Sequence, residues 1–313
     1  MRRAGLVLLL VVGLAAVGAP WLAPNPPDRS FPDRLYAPPG GYAYEQRLVN
    51  RLNRQFEDDL NQPVSLRWFT GGRLVTVPEA DGGPLLLLGA DAFGRDTFSR
   101  LLYGARASLA LALVATAIAL LLGALIGGAA GFAGGLVDEV LSRFTDFVLV
   151  LPAIYVALAL RAVMPLVLPP ATVFALLTLI FALVGWPIVA RGMRAIIASE
   201  REREYIAAGL ALGATRWRLL SRHLLPAAAG YLAVQATLLL PAFILAEATL
   251  SYVGLGFPDS VPTWGTMLQD AANMSLVAEA PWMLAPAAAI FLVVLGVNLV
   301  VQGTGRTPVQ LEP

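Results

Sequence analysis

Residues Arg191–Pro226 read RGMRAIIASEREREYIAAGLALGATRWRLLSRHLLP, a polar segment between two runs without charge, Ala162–Ala190 and Leu224–Ala246. Each flank exceeds the ~20 apolar residues that cross a bilayer as a helix. A loop between two membrane spans is therefore expected, and its pattern is too regular for a plain connector. Tyr205, Ala208 and Leu212 recur at helical spacing, Gly213 interrupts, and Trp217, Leu220 and Leu224 resume the period. This predicts two short amphipathic helices joined at a glycine elbow. Glu202 and Glu204 suit the positive end of the first helix, and Pro226 fits the first turn of the following span. The plainer alternative is an arginine-rich helix lying on anionic lipid.

Composition agrees with a membrane location. Of 313 residues 58% are hydrophobic and 14% charged, against about 25% charged in soluble domains. The net charge of +1 gives no case for nucleic acid, and the absence of cysteine excludes disulfides and thiolate chemistry. All 22 basic residues are arginine. A phosphate-binding P-loop needs a lysine that reaches the β- and γ-phosphates. The chain therefore carries no such ATP site, and energy from ATP would have to come from a partner.

Charge-free intervals predict six spans. The first, about Ala4–Leu22, follows Arg2 and Arg3, which hold the N-terminus in the cytoplasm under the positive-inside rule. A cleaved signal peptide is the rival reading. Residues 23–106 form a long polar insertion with ten arginines, which long loops tolerate on the translocated side. Within it Leu48, Leu52, Phe56 and Leu60 recur every fourth residue and predict an amphipathic helix over Tyr44–Leu60. Val64–Phe69 and Arg73–Val77 flank Thr-Gly-Gly and predict a β-hairpin. Together these make a small extracytoplasmic α/β insertion, with a possible contact to a soluble partner.

Span two lies within Ala107–Gly131. Span three has only 14 uncharged residues between Asp146 and Arg161, about 21 Å at helical rise, so a charge must enter the hydrocarbon, pack against helices or snorkel. Snorkelling is expected of Arg161 and a packing or translocation-path role of Asp146. Span four covers about Thr172–Ala190, span five Ala228–Leu250 and span six Met283–Val301. Glu247 sits near the outer end of span five, where it faces a cavity or partner, or the water boundary. The result is an all-α polytopic protein with both termini cytoplasmic. Its parts are a first helix (1–22), the insertion (23–106), a core of five spans (107–303) and a short tail (304–313).

Three segments carry a family resemblance. EYIAAGLALGATRWRLLSRHLLP resembles the coupling loop of bacterial ABC importer permeases, Glu-Ala-Ala, three residues, Gly, nine residues, then Ile-x-Leu-Pro. Gly213 takes the glycine, Leu225 and Pro226 the closing pair, His223 the Ile position, and Ala208 and Gly209 the small positions. The pattern's Glu falls on Ala207, a departure that Glu204, one helical turn earlier, could offset. LGADAFGRDTFSRLLYGARASL, Leu88–Leu109, is similar to a segment of the C-type permease in the oligopeptide, dipeptide and nickel importer family, with Asp91, Gly94, Arg95, Asp96 and Arg100 matching and Ala90 in place of Thr. Physically, Asp91 and Gly94 favour a turn and Asp96 can cap the helix that runs into span two. EATLSYVGLGFPDSVPTWGTML, Glu247–Leu268, resembles a third family segment and includes Ser251.

The resemblance implies a permease subunit that performs no covalent chemistry and binds no cofactor, with ATP and magnesium held by partner ATPases. It implies coupling through Glu204, Tyr205, Ala208, Gly209, Gly213, Ala214, Arg216, Trp217, Arg218, His223 and Pro226. It also implies three kinds of partner besides the bilayer: a homologous B-type permease, two ATP-binding subunits and an extracytoplasmic substrate-binding protein. Peptides are the expected cargo, with nickel or another small solute as alternatives. A proton-driven transporter using Asp146 or Glu247 is a further alternative. An intramembrane hydrolase lacks a paired nucleophile and base within the spans.

Overall fold

The computed structural model describes residues 1–50, 54–78, 83–163, 165, 168–272 and 278–302. The described elements begin with α1 (Arg2–Val17), α2 (Ala19–Leu22) and four short strands, β1 (Tyr44–Asn50), β2 (Gln55–Pro63), β3 (Arg67–Trp68) and β4 (Val75–Thr76). Helices follow: α3 (Thr97–Ala133), α4 (Gly135–Val150), α5 (Ala153–Ala162), α6 (Pro170–Arg201), α7 (Glu204–Ala211), α8 (Arg216–Leu219), α9 (Leu225–Ala227), α10 (Ala229–Tyr252), α11 (Trp264–Asp270) and α12 (Ala285–Gln302). Among the described residues four helices, 97–133, 170–201, 229–252 and 281–302, are long and apolar enough to cross a membrane, and a bent pair, α4 with α5, would make five. The chain forms two compact units, one of Met1–Ala110 with Glu247–Pro313 and one of Leu111–Ala246.

In the first unit α1 packs on α12 through small residues. A Cβ at Gly5 would collide with the Gly296 carbonyl and Leu299, so the two backbones meet where neither side carries bulk. The insertion is β, and the helix expected over Tyr44–Leu60 does not form. β1 and β2 pair antiparallel with Leu48 opposite Phe56, and the pairing is irregular at Tyr44/Glu45 and at Leu48/Asn50. A repeat of four is also a multiple of two, so Leu48, Phe56 and Leu60 fit one face of a strand as well as a narrow helical stripe. Leu52 lies outside the described residues. Polar anchors hold the hairpin: Arg34 pairs with Glu45 at 2.9 Å, and Gln46 donates to the Pro39 carbonyl. The second hairpin is as expected but shorter, with Arg67 opposite Thr76 and Trp68 opposite Val75.

In the second unit the long helices are set by glycine contacts. Gly123, Gly127 and Gly131 recur every fourth residue on α3, and a Cβ on any of them would strike α6 at Val189, Ala190 or Arg194. This small-residue ridge lets the two helices approach closely, as in membrane helix pairs. Phe181 of α6 stacks on Phe243 of α10 at 5.5 Å, and Gly185 leaves room for the Phe243 ring.

Two expectations fail here. The polar loop was to begin at Arg191, yet α6 continues to Arg201 because Met193 and Ile197 keep an apolar face fully buried. Arg161 does not snorkel: it is 3% exposed, and its guanidinium turns to the Pro165 carbonyl at 3.4 Å. The short third span is broken at Leu151–Pro152, where Pro152 caps α5, so α4 and α5 are separate helices.

Candidate coupling segment and the buried polar networks

The segment after α6 folds as two helices and an elbow. α7 ends in a Schellman motif: Ala214 N–H donates to the Gly209 carbonyl at 2.9 Å and Gly213 N–H to Leu210 at 3.0 Å. Gly213 takes φ +82°, which L side chains seldom adopt. Gly209 faces the Leu219 side chain, so α7 and α8 approach closely there. Thr215 caps α8, its hydroxyl accepting from Arg218 N–H at 3.3 Å, and Pro226 lies in the first turn of α9. A single wide turn, Leu220–Leu224, links α8 to α9 and carries His223.

One face of this unit is fixed to the membrane helices. Ile206, Leu219 and Leu224 are buried in one cluster with Met193, Ile197 and Ala228, and Ala214 packs against it. The expected stripe of Tyr205, Ala208 and Leu212 is therefore not the buried face. It points away, with Leu212 88% exposed and Tyr205 43% exposed. Glu204 stands exposed in the first turn of α7. Tyr205 donates to Glu200 at 2.8 Å and lies against the His223 ring at 5.9 Å; the Glu200 carboxylate raises the phenol above its ordinary range. Arg201 donates to the Gly131 and Phe132 carbonyls at the end of α3, a cation placed on a helix C-terminus. The backbone at Arg216 and Trp217 is α8; their side chains lie outside the described residues.

Asp138 and Asp146 of α4 meet the arginines of α6. Arg194 binds Asp138 through two bonds of 2.8 and 2.6 Å, and Arg191 pairs with Asp146 at 2.5 Å. Asp146 thus borders a cavity of about 280 Å³ with Ser142, Thr145 and Ala190 but already has its counter-charge.

The segment before α3 is a closed polar knot. Asp91 accepts from the backbone N–H of Phe93 and Arg95 at 2.8 and 2.9 Å and from Arg95 Nε at 2.7 Å. Gly94, at φ +71°, completes the turn, and a Cβ there would strike Phe31. Arg95 reaches on to Asp270 at 3.1 Å, and Arg100 Nε stands 3.4 Å from Asp91. Asp96 is fully buried and caps α3, accepting from Phe98 N–H at 3.1 Å, Ser99 at 2.5 Å and Asn25 at 3.0 Å. Burial pushes the Asp96 carboxyl up, and these donors oppose it.

Glu247 lies at no water boundary. It is 0% exposed. Ser251 and Thr263 donate to one oxygen at 2.8 Å each, and Ser108 donates to the other at 3.0 Å. Ser108 accepts in turn from Trp264 N–H, and Thr263 caps α11 by a reciprocal pair of bonds with Thr266. Sequence reading missed Ser108 and Thr263, whose only trace is that hydroxyls interrupt apolar runs. One carboxylate thus joins α3, α10 and α11 within the first unit.

The carboxylates Asp138, Asp146 and Glu247 are paired or hydrogen-bonded within the chain, whereas the elbowed segment presents an exposed face. This defines a multi-pass membrane protein. Residues 119–304 match the family described as "Binding-protein-dependent transport system inner membrane component", and residues 1–39 match "N-terminal TM domain of oligopeptide transport permease C". The chain is 33% identical over 300 residues to the di/tripeptide transport system permease protein DppC of Pseudomonas aeruginosa, covering 96% of this chain and 84% of that protein. It is 39% identical to the dipeptide transport system permease protein DppC of Alkalihalophilus pseudofirmus over 69% of this chain and 68% of that one. It is 36% identical to the oligopeptide transport system permease protein OppC of Bacillus subtilis over the same shares. The chain belongs to the binding-protein-dependent transport system inner membrane components, as a permease subunit of the oligopeptide/dipeptide type.

Proposed function

We propose that the chain is the C-type half of a peptide importer, paired with a homologous B-type permease, two ATP-binding subunits and an extracytoplasmic binding protein. The relatives named above carry peptide transport in their names, which supports that cargo over nickel. ATP and magnesium belong to the partners. On a six-span reading the elbowed segment lies on the cytoplasmic face, with α1 and α2, separated only by Gly18, as the first span and α4–α5 as a broken third.

The observation that carries the reading is the two-sided segment. Its inner face is bolted to α6 through Ile206, Leu219 and Leu224, while Tyr205 and Leu212 stand out. A push on that outer face reaches the membrane helix without being absorbed by a flexible loop, which alternating access requires. The β1–β2 hairpin is the part proposed to meet the binding protein.

The chain has no cysteine, so Leu212→Cys supplies a unique thiol. In membranes holding the co-expressed transporter, it should cross-link to an ATP-binding subunit, with a yield that changes when nucleotide is added, while cells take up labelled dipeptide. A thiol that cross-links to no ATPase would refute the coupling role.

A further inference from the structure

We infer that the β3–β4 hairpin is a membrane-interface anchor, its tip entering the lipid headgroup layer beside the end of the first helix. The tip is apolar and outward: Phe69 is 80% exposed, Trp68 60% and Trp21, at the end of α2, 64%. Trp21 and Phe69 belong to one neighbourhood, since with Leu22 and Leu74 they line a single open cavity of about 390 Å³. Aromatic side chains with one apolar and one polar part concentrate at membrane–water boundaries.

The occupant is argued from where the hairpin is tied. Leu74 N–H donates to the Trp21 carbonyl at 2.6 Å, and Arg73 donates to the Pro24 carbonyl at 2.9 Å. Both anchors are at the exit of a helical run, Arg2–Leu22, about 30 Å long and so the thickness of the hydrocarbon core. Residues 1–39 match a transmembrane domain. The hairpin tip is therefore held at the depth where the first span leaves the bilayer. A folded interior also offers it no place: a Phe that packed inward would not be left 80% exposed.

Backbone strain points the same way. Phe69 adopts φ +54°, an outlier for a bulky side chain. Phe69 N–H donating to Leu74 and Thr70 hydroxyl donating to Trp68 keep that turn in place. A turn that holds an aromatic residue in a disfavoured conformation, and then leaves it uncovered, is consistent with a surface contact outside the chain.

The test uses single-cysteine variants of the otherwise cysteine-free chain, in the transporter assembled without its binding protein, which leaves Asp58 of β2 uncovered, and reconstituted into phosphatidylethanolamine/phosphatidylglycerol vesicles. Spin labels go on Trp68→Cys and Phe69→Cys. Leu10→Cys, exposed on α1, serves as the acyl-chain reference, and Asp58→Cys, exposed on β2, as the water reference. Collision with oxygen relative to a water-soluble nickel complex should be several-fold higher at 68 and 69 than at 58, approaching the value at 10. Labels at 68 and 69 that match position 58 would overturn the inference. So would labels shielded from both quenchers, which would mean a protein partner covers the hairpin. Two tip positions are used so that a fold defect in one variant, seen as loss of assembly on size exclusion, leaves the other to decide.

Discussion

Removing the Glu247 carboxylate should loosen the union of α3, α10 and α11. In Glu247→Ala, Ser108, Ser251 and Thr263 each lose the oxygen they donate to. An orphaned buried donor costs about 1–3 kcal/mol. The three losses will not simply add. Ser251 can fall back on a carbonyl one helical turn earlier, and Thr263 still faces the Thr266 hydroxyl at 3.4 Å. With the cavity left behind, a total of about 3 kcal/mol is expected. On the scale of domains of 150–250 residues this is about 6–12 °C in the unfolding midpoint. Glu247→Gln keeps the shape and one carbonyl oxygen for Ser251 and Thr263, and forces only the Ser108 hydroxyl to turn, so a cost of about 1 kcal/mol follows. The assay is the temperature at which half of the detergent-purified assembly still elutes as a single species. The expected order is wild type, then Gln, then Ala well below. An Ala variant as stable as wild type would refute the reasoning. A Gln variant as poor as Ala would show that the charge, and not the set of hydroxyl donors, is what the site requires.

Two other perturbations follow from single groups. At Gly213 a Cβ would meet nothing within 4 Å, so the penalty comes from the φ of +82°. Gly213→Leu should therefore lower uptake with membrane levels unchanged on immunoblot, and Gly213→Asn, better suited to the left-handed region, should restore most of it; equal uptake in all three would count against the elbow. Desolvation raises the Asp270 carboxyl from 3.8 to about 6 despite Arg95. Between those values the folded chain binds more protons than the unfolded one, so the contribution is complete below pH 3.8 and is lost as pH rises through about 6. The midpoint of wild type minus that of Asp270→Asn should accordingly fall from pH 4 to pH 7, and a flat difference would exclude this group as the cause.

What could be read in the sequence was what the backbone alone determines. The elbow was legible because Gly213 occupies a conformation that disfavours side chains, and the cap at Asp96 because the residue type and position suffice. The face that α7 buries was not legible. Tyr205, Ala208 and Leu212 have the right period, but Ile206 is the residue that meets α6, and nothing local separates a stripe meant for the chain's own core from one left open. The β1–β2 hairpin differs from the expected helix for a related reason: a four-residue repeat is compatible with either periodicity, and only the pairing, from Asn50 with Gln55 out to Tyr44 with Pro63, decides between them. The ridge of Gly123, Gly127 and Gly131 is written in the sequence, but nothing local says which helix it meets. Long-range partners stayed hidden altogether, since Glu247 and Ser108 are 139 positions apart and Arg95 and Asp270 are 175 apart.

The three family-like segments differ in the kind of chemistry they use, and that difference bears on mechanism. Asp91–Arg100 and Glu247–Thr266 are built around Asp91, Asp96 and Glu247, which are buried and accept from donors of the same compact unit. Polar groups satisfied internally in a low-dielectric setting resist rearrangement, because breaking one bond strands another. Such segments are suited to holding helices in a fixed relation. The elbowed segment is open: its apolar side chains are divided between the α6 cluster and the outside, and Glu204, Arg218 and Arg222 are exposed. Its outer contacts can be made and lost at little internal cost, while Ile206, Leu219 and Leu224 stay packed. A part that must transmit force from a partner needs that combination, a releasable outer face on a permanently seated inner one. The Ala207 position, where the coupling pattern has a glutamate, lies on the exposed side of α7 close to Glu204. On the proposed coupling role, an acidic contact with a partner would be made from Glu204, in the adjacent turn, without disturbing the seated face.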